Sequence, residues 1–233
     1  NFSAAVAMTP TGTNRPYMKA DRVGTNKIYL IMNDGHPAAV STNSVYFFMY
    51  QGGAFKKIDG TALGAFPLTP GPSTMDRVYD GSLSTGRSWV WDVSSDPAND
   101  RPIAAFAVFP STSDHRYYQS RWNGSAWVNN EVCNGGDSPN YLYAAERYYS
   151  GGIALDPVYP NQVFVSRKVG SVFQIFRYVS SDNGATWTGT QLTFGNEHCF
   201  RPYVVRGARV LAYCRGRYTS FSDFNTRIQL MQI

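Results

Sequence analysis

Ser180-Ser181-Asp182-Asn183-Gly184-Ala185-Thr186-Trp187 is the stretch whose reading decides the fold, and it fits the pattern Ser-x-Asp-x-Gly-x-x-Trp at every defined position. The spacing suits a tight turn between two antiparallel strands. The Asp182 carboxylate can accept amide hydrogens of the turn, Gly184 permits a positive φ, and Trp187 can cover the edge of the sheet. Ser180, Asp182, Gly184 and Trp187 are therefore expected to be structural, with no part in chemistry.

Working outward, the same arrangement recurs. An aromatic-rich strand, a polar turn with Gly and then a Trp run from Phe173 through Asn183-Gly184 to Trp187, and from Arg116 through Asn123-Gly124 to Trp127. The tryptophans at 127 and 187 set an offset of 60, and the segments preceding each unit keep it. Trp91 to Pro97 leads into Pro102 to Val108, and Ile153 to Pro157 leads into Gln162 to Ser166, each as strand, Asp-Pro turn, strand. A looser copy spans Val45 to Phe55, a fourth begins at Phe200, and Arg15-Pro16-Tyr17-Met18 is echoed by Arg201-Pro202-Tyr203-Val204. Four four-stranded antiparallel units are expected, over about 1–70, 85–134, 147–195 and 196–233, with Gly60 to Gly86 and Asn134 to Tyr143 as loops. Such a sheet has two apolar faces that radial packing against neighbours covers. The fold class is all-β and the expected architecture a β-propeller, in one domain or part-domain over residues 1–233.

Composition agrees. The chain is 43% hydrophobic and 16% charged, enough to bury a core, and its 15% aromatic content with abundant Gly and Pro suits short strands and tight turns. No apolar stretch approaches the roughly 20 residues that cross a bilayer, so no membrane partner is expected. The net charge of +5 points to an acidic partner. The arginines stand singly within strand-like segments and form no basic run, which favours an acidic polysaccharide over nucleic acid.

Cys133, Cys199 and Cys214 have no zinc-finger spacing. Cys199 and Cys214 flank a hairpin signal centred on Arg206-Gly207. Two readings stay open: a disulfide across paired strands, or two small buried thiols if the register slips by one residue. Asn1-Phe2-Ser3 and Asn123-Gly124-Ser125 match the N-glycosylation acceptor pattern. The absence of an initial Met and of a signal peptide fits a processed secreted or periplasmic protein, or an internal segment of a longer one.

The box and its repeats resemble the BNR-repeat (Asp-box) propellers, the class that includes sialidases and several polysaccharide lyases. The narrower resemblance is to the family containing ulvan lyases. It is carried by Arg15-Pro16-Tyr17, Asn33-Asp34-Gly35-His36-Pro37, Tyr149-Ser150-Gly151-Gly152-Ile153-Ala154, Asp156-Pro157, Arg201-Pro202-Tyr203 and Gly216-Arg217-Tyr218, which together span nearly the whole chain. That family is usually seven-bladed, so this chain would correspond to its C-terminal four blades. The remaining blades are then expected on another segment or chain, unless this is a shorter propeller that keeps the binding half. The family's catalytic His-Asn segment and the His, Tyr and Arg that follow it have no counterpart here.

The resemblance implies a lyase that cleaves a uronate-containing, ulvan-like or rhamnose-glucuronate polysaccharide by β-elimination. That reaction needs a cation on the C5 carboxylate, a base for the C5 proton and an acid for the leaving oxygen. Tyr17 and His36 are the catalytic candidates; Arg15, Lys19, Arg147, Tyr149, Arg201 and Arg217 are the substrate-binding candidates. The chemistry needs no cofactor, and a structural zinc or calcium ion is an option, with His36 and His115 as metal candidates. For His36 a site residue, a metal ligand and a hydrogen-bonded turn histidine all remain open, as does a packing role for Tyr149. The alternatives to a lyase are a carbohydrate-binding or assembly propeller without turnover, and a rhamnosidase- or sialidase-like exo-glycosidase. Against a sialidase, Glu131, Glu146 and Glu197 are the only glutamates, and none has the setting of a nucleophile pair.

Overall fold

Runs of β-branched and aromatic residues, punctuated by Gly-, Asn- and Asp-containing turns, form sixteen strands and no α-helix among the described residues of the computed structural model. The structure describes residues 7–10, 14–64, 66–136, 142–143 and 145–233. The Asn1-Phe2-Ser3 acceptor and residues 137–141 of the Asn134 to Tyr143 loop lie outside them.

The strands form four antiparallel sheets. The first holds β1 (Met18–Val23), β2 (Lys27–Asn33), β3 (Val45–Gln51), β4 (Ala54–Lys56) and β5 (Asp76–Tyr79). The second runs β6 (Arg87–Ser95), β7 (Pro102–Ser111), β8 (Asp114–Trp122), β9 (Trp127–Gly136). The third runs β10 (Ile153–Leu155), β11 (Gln162–Val169), β12 (Val172–Val179), β13 (Thr188–Gln191), and the fourth β14 (His198–Val205), β15 (Val210–Ser220), β16 (Asp223–Gln232). Successive strands are neighbours within each sheet, except that β5 pairs with β3. Between sheets, β1 packs on β6, β6 on β10 and β10 on β14, so the first strands stand side by side.

Side-chain alternation drives this stacking. In β7, Ala104, Phe106 and Val108 join a core shared with Tyr29, Ile31 and Phe47 of the first sheet. Their neighbours Ile103, Ala105, Ala107 and Phe109 join a second core with Val163 and Val165 of β11. Opposite faces of one strand thus serve two different interfaces. Burying each large apolar side chain contributes about 1.5–3 kcal/mol. Phe164 of β11 continues the pattern, facing Leu211 and Tyr213 of the fourth sheet.

Buried polar ties register the sheets. The Tyr117 hydroxyl donates to the Ser166 carbonyl at 2.8 Å and accepts the Gly152 amide at 2.9 Å. The Ser166 hydroxyl in turn donates to the Cys199 carbonyl at 2.8 Å. Arg209 pairs with the buried Asp156 at 2.7 Å, and Arg206 in the β14–β15 turn pairs with Asp21 on β1, linking the last sheet to the first.

Three sequence expectations change. The segment Gly60 to Gly86 is more than a connection, and the first unit does not stop near residue 70. β5 pairs with β3, and Leu68 and Met75 cover Leu30, Met32 and Phe48 on the outer face of the first sheet. A strand break there lets one long insertion both cap the face and supply the outer strand. The fourth sheet has three strands among the described residues instead of four, and its outer face leaves Phe224, Ile228 and Leu230 exposed. Finally, the β14–β15 hairpin forms, but its register sets Cys199 opposite Arg215 and Cys214 opposite Phe200. The one-residue offset turns the thiols to opposite faces, and all three cysteines are free.

Ser180 to Trp187 forms the β12–β13 turn. Asp182 accepts from the Thr186 amide (2.8 Å) and hydroxyl (2.6 Å) and from the Ser180 hydroxyl (2.8 Å), and these bonds hold its carboxyl down at about pKa 2. Gly184 has φ +89, and a Cβ there would meet Gln119 at 2.8 Å. Replacing Tyr117 by Phe is expected to leave the Gly152 amide and Ser166 carbonyl buried and unpaired, lowering unfolding free energy by about 1–3 kcal/mol in urea denaturation with an unchanged m value.

Candidate functional site

The first strands of all four sheets line one cleft of about 450 Å³. Tyr17 and Lys19 enter from β1 and the residue before it, Trp89 and Trp91 from β6, Tyr149 from just ahead of β10, and Arg201 and Tyr203 from β14. The two-residue spacing places Tyr17 and Lys19 on one face, whereas the Trp89/Trp91 and Arg201/Tyr203 pairs each span an irregularity of the ladder. The Tyr17 and Tyr203 of the repeated Arg-Pro-Tyr motif therefore reach the same cleft.

Backbone irregularity aims several of these groups. The β6–β7 ladder skips between Val90 and Asp92, leaving Trp91 in a bulge, and the β14–β15 ladder skips between Phe200 and Tyr203, leaving Arg201 and Pro202 unpaired in the ladder. Bulges of this kind re-aim side chains. Arg201 adopts φ +53, a left-handed conformation that costs a non-glycine residue about 1–2 kcal/mol. Its amide bonds the Gly151 carbonyl at 2.6 Å, which holds it there. Gly152 (φ +108) completes the wall, since a Cβ would meet Trp91 at 3.0 Å and Pro202 at 3.3 Å. The Trp91 indole N–H donates to the Ser150 hydroxyl at 2.9 Å.

Aromatic rings continue along the rim. Trp89 lies 5.0 Å from Tyr17, 5.2 Å from the His36 ring and 6.0 Å from Tyr149, and Tyr149 stacks on Tyr218 at 5.8 Å with planes 13° apart. The Arg201 guanidinium sits 5.4 Å over the Tyr149 ring. The Tyr149 hydroxyl is buried and makes no hydrogen bond among the described residues; burial pushes its pKa up to about 12, with the Arg201 charge pulling the other way. The Tyr17 hydroxyl likewise has no hydrogen-bond partner among them, while the Tyr17 amide is held by the Asn33 side chain at 2.7 Å.

His36 is fully engaged. Its Nδ1 accepts the Ala38 amide at 3.1 Å, which assigns the proton to Nε2, and Nε2 faces Glu146 Oε2 at 3.3 Å. The ring thereby braces Tyr17 and Trp89 and has no free nitrogen for a substrate in this arrangement.

The other candidates lie elsewhere. Arg15 is exposed just ahead of the cleft wall and Arg147 is exposed with its carbonyl, 2.8 Å from His115 Nε2, turned inward. His115 is buried, and burial lowers its pKa to about 4, so the ring is neutral. Arg217 is separated from the cleft, pairing with Asp223 at 2.8 Å on the exposed β15–β16 hairpin. Among the described residues no three His, Cys, Asp or Glu side chains gather to hold a metal ion.

Trp89, Trp91, Tyr218 and Glu146 were not sequence candidates for the cleft. The alternation Arg87-Ser88-Trp89-Val90-Trp91 was a local signal for two of them. Glu146 had none, because its partner His36 belongs to a distant segment.

Compared with known proteins, the chain matches no family model and no curated protein.

Asp92 lies at the floor of the cleft, its carboxylate accepting the Leu155 and Val93 amides at 2.9 Å each. Burial outweighs these bonds and raises its pKa to about 6. Between the ordinary carboxylate range and pH 6 Asp92 therefore holds more proton in the folded state than in the unfolded chain, so its contribution to stability falls as pH rises through that window. The Asp92→Asn variant is expected to flatten the slope of unfolding free energy between about pH 4 and 6, a difference on the order of 3 kcal/mol across the window, read from denaturant titrations at each pH.

Proposed function

We propose that the four sheets are blades of a β-propeller and that the cleft among their first strands binds an acidic carbohydrate of the uronate-containing type. The observation that carries this reading is the convergence, from all four sheets, of aromatic faces (Tyr17, Trp89, Trp91, Tyr149, Tyr203) with two cations, Lys19 and Arg201. Flat rings suit the apolar faces of sugar rings, and an arginine fork suits a carboxylate or sulfate. The outer face of the fourth sheet, with Phe224, Ile228 and Leu230 exposed, is where a further blade from another segment or chain would pack.

The enzymatic reading is uronate β-elimination, and one observation favours it: Tyr17, whose hydroxyl has no hydrogen-bond partner among the described residues, lines the same cleft as both cations. In that reaction Arg201 or Lys19 neutralises the C5 carboxylate, the Tyr17 oxygen takes the C5 proton, and the C4–O bond breaks. The Tyr17 oxygen, which enters the step deprotonated, passes that proton on to the leaving oxygen, and the product is an unsaturated uronate. His36 and Glu146 position the Tyr17 ring and stay outside the proton transfer.

Calorimetry against ulvan and other uronate polysaccharides is expected to detect binding that weakens as salt rises. Lys19→Ala and Arg201→Gly should each weaken it by about tenfold without loss of fold. Rising ultraviolet absorbance from the unsaturated product, lost in Tyr17→Phe, supports elimination; binding with no absorbance change leaves the carbohydrate reading and removes the lyase. Absence of binding to every acidic polysaccharide removes both.

A further inference from the structure

The turn of the second sheet that corresponds to the Ser180–Trp187 box lacks its carboxylate. At the offset of 60 set by Trp127 and Trp187, Ser120, Asn123, Gly124 and Trp127 align with Ser180, Asn183, Gly184 and Trp187, and Trp122 stands where Asp182 would be. The acceptor role has moved one residue along. Asn123 Oδ1 accepts the Ser125 and Ala126 amides at 2.9 Å each, and the Asn123 amide bonds the Ala126 carbonyl at 3.0 Å. The turn therefore holds without Asp, which leaves residue 122 free for another purpose.

Trp122 is half-buried, and its indole lies between two clefts of about 340 and 260 Å³ that share Asn99, Arg101, Pro102 and Trp122 as a common wall. These clefts are distinct from the one lined by Trp89 and Arg201. Asp96, Asn130 and the Asp182 turn of the third sheet border the larger. The indole N–H, the Asn130 amide and the Arg101 guanidinium make no hydrogen bond among the described residues. Arg101 is seated over Gly124, where a Cβ would come within 3.0 Å of its terminal nitrogen. Trp122 meets Trp127 at 5.9 Å and 62°, an edge-type contact, and still lines both clefts.

We propose that this groove is a second binding site, for a neutral oligosaccharide, with Trp122 as the stacking platform. A flat apolar ring bordered by side chains with donor–acceptor pairs fits a sugar ring, which is apolar on its face and carries hydroxyls round its edge. The charged groups at the larger cleft balance, Asp96 and Asp182 against Arg101 and Arg121, so nothing selects an anion. Two clefts with one shared wall accommodate more than a single ring. The assignment stands on these residues and does not require the Trp89 cleft to bind sugar.

The test is isothermal titration of the full chain with a panel of neutral hexasaccharides (cello-, xylo- and manno-oligosaccharides), with tryptophan fluorescence read in parallel. One member is expected to bind. Trp122→Ala should weaken it by about tenfold and Trp122→Phe by less, because the phenyl ring keeps part of the stacking surface. Asn130→Ala, which touches no turn bond, should weaken it severalfold and serves where Trp122→Ala fails to fold. Wild-type affinity in both Trp122→Ala and Asn130→Ala overturns the proposal, as does a wild-type chain that binds no member of the panel.

Discussion

Every sheet in this protein is apolar on both faces, and that constraint governs the rest. β7 is buried from Pro102 to Phe109 and divides its side chains between two cores. A strand of this kind can satisfy itself only between two other sheets. The order of packing, first on second, second on third, third on fourth, follows from that requirement. The outer face of the first sheet is covered by the chain's own insertion through Leu68 and Met75, whereas the outer face of the fourth carries exposed Phe224, Ile228 and Leu230.

The cleft arises where this regularity gives way. Stacked sheets bring their first strands together, and each can turn only alternate residues toward the shared space. Bulges at Trp91 and at Arg201-Pro202 add side chains that a regular ladder would have directed elsewhere. The left-handed Arg201 is a local cost held in place by the Gly151 carbonyl. Its guanidinium consequently lies over Tyr149, beside a space that also receives Lys19. The buried ties, Tyr117 with Ser166 and Gly152 above all, set the neighbouring sheets in register beneath this wall.

The two turns at offset 60 illustrate how a structural motif loosens. In one, a carboxylate holds Thr186 and Ser180; in the other an amide one residue later holds Ser125 and Ala126. A turn needs an acceptor in reach of its amides, and either group provides it. With that need met by Asn123, the position aligned with Asp182 carries an indole.

Local signals made much of the fold legible in the sequence. Alternating apolar runs, turn residues and the recurring tryptophan spacing determined an all-β chain of repeated antiparallel sheets, because hairpins are specified by neighbours along the chain. What depended on distant partners was not legible. The β14–β15 register separated Cys199 from Cys214 by a single residue, and β5 emerged from a stretch composed like a loop. His36 found Glu146, and four first strands found one another. Sequence alone thus determined the sheets, since turn and strand chemistry is local. Tertiary structure decided the cleft, since its residues meet only when apolar faces force the sheets to stack.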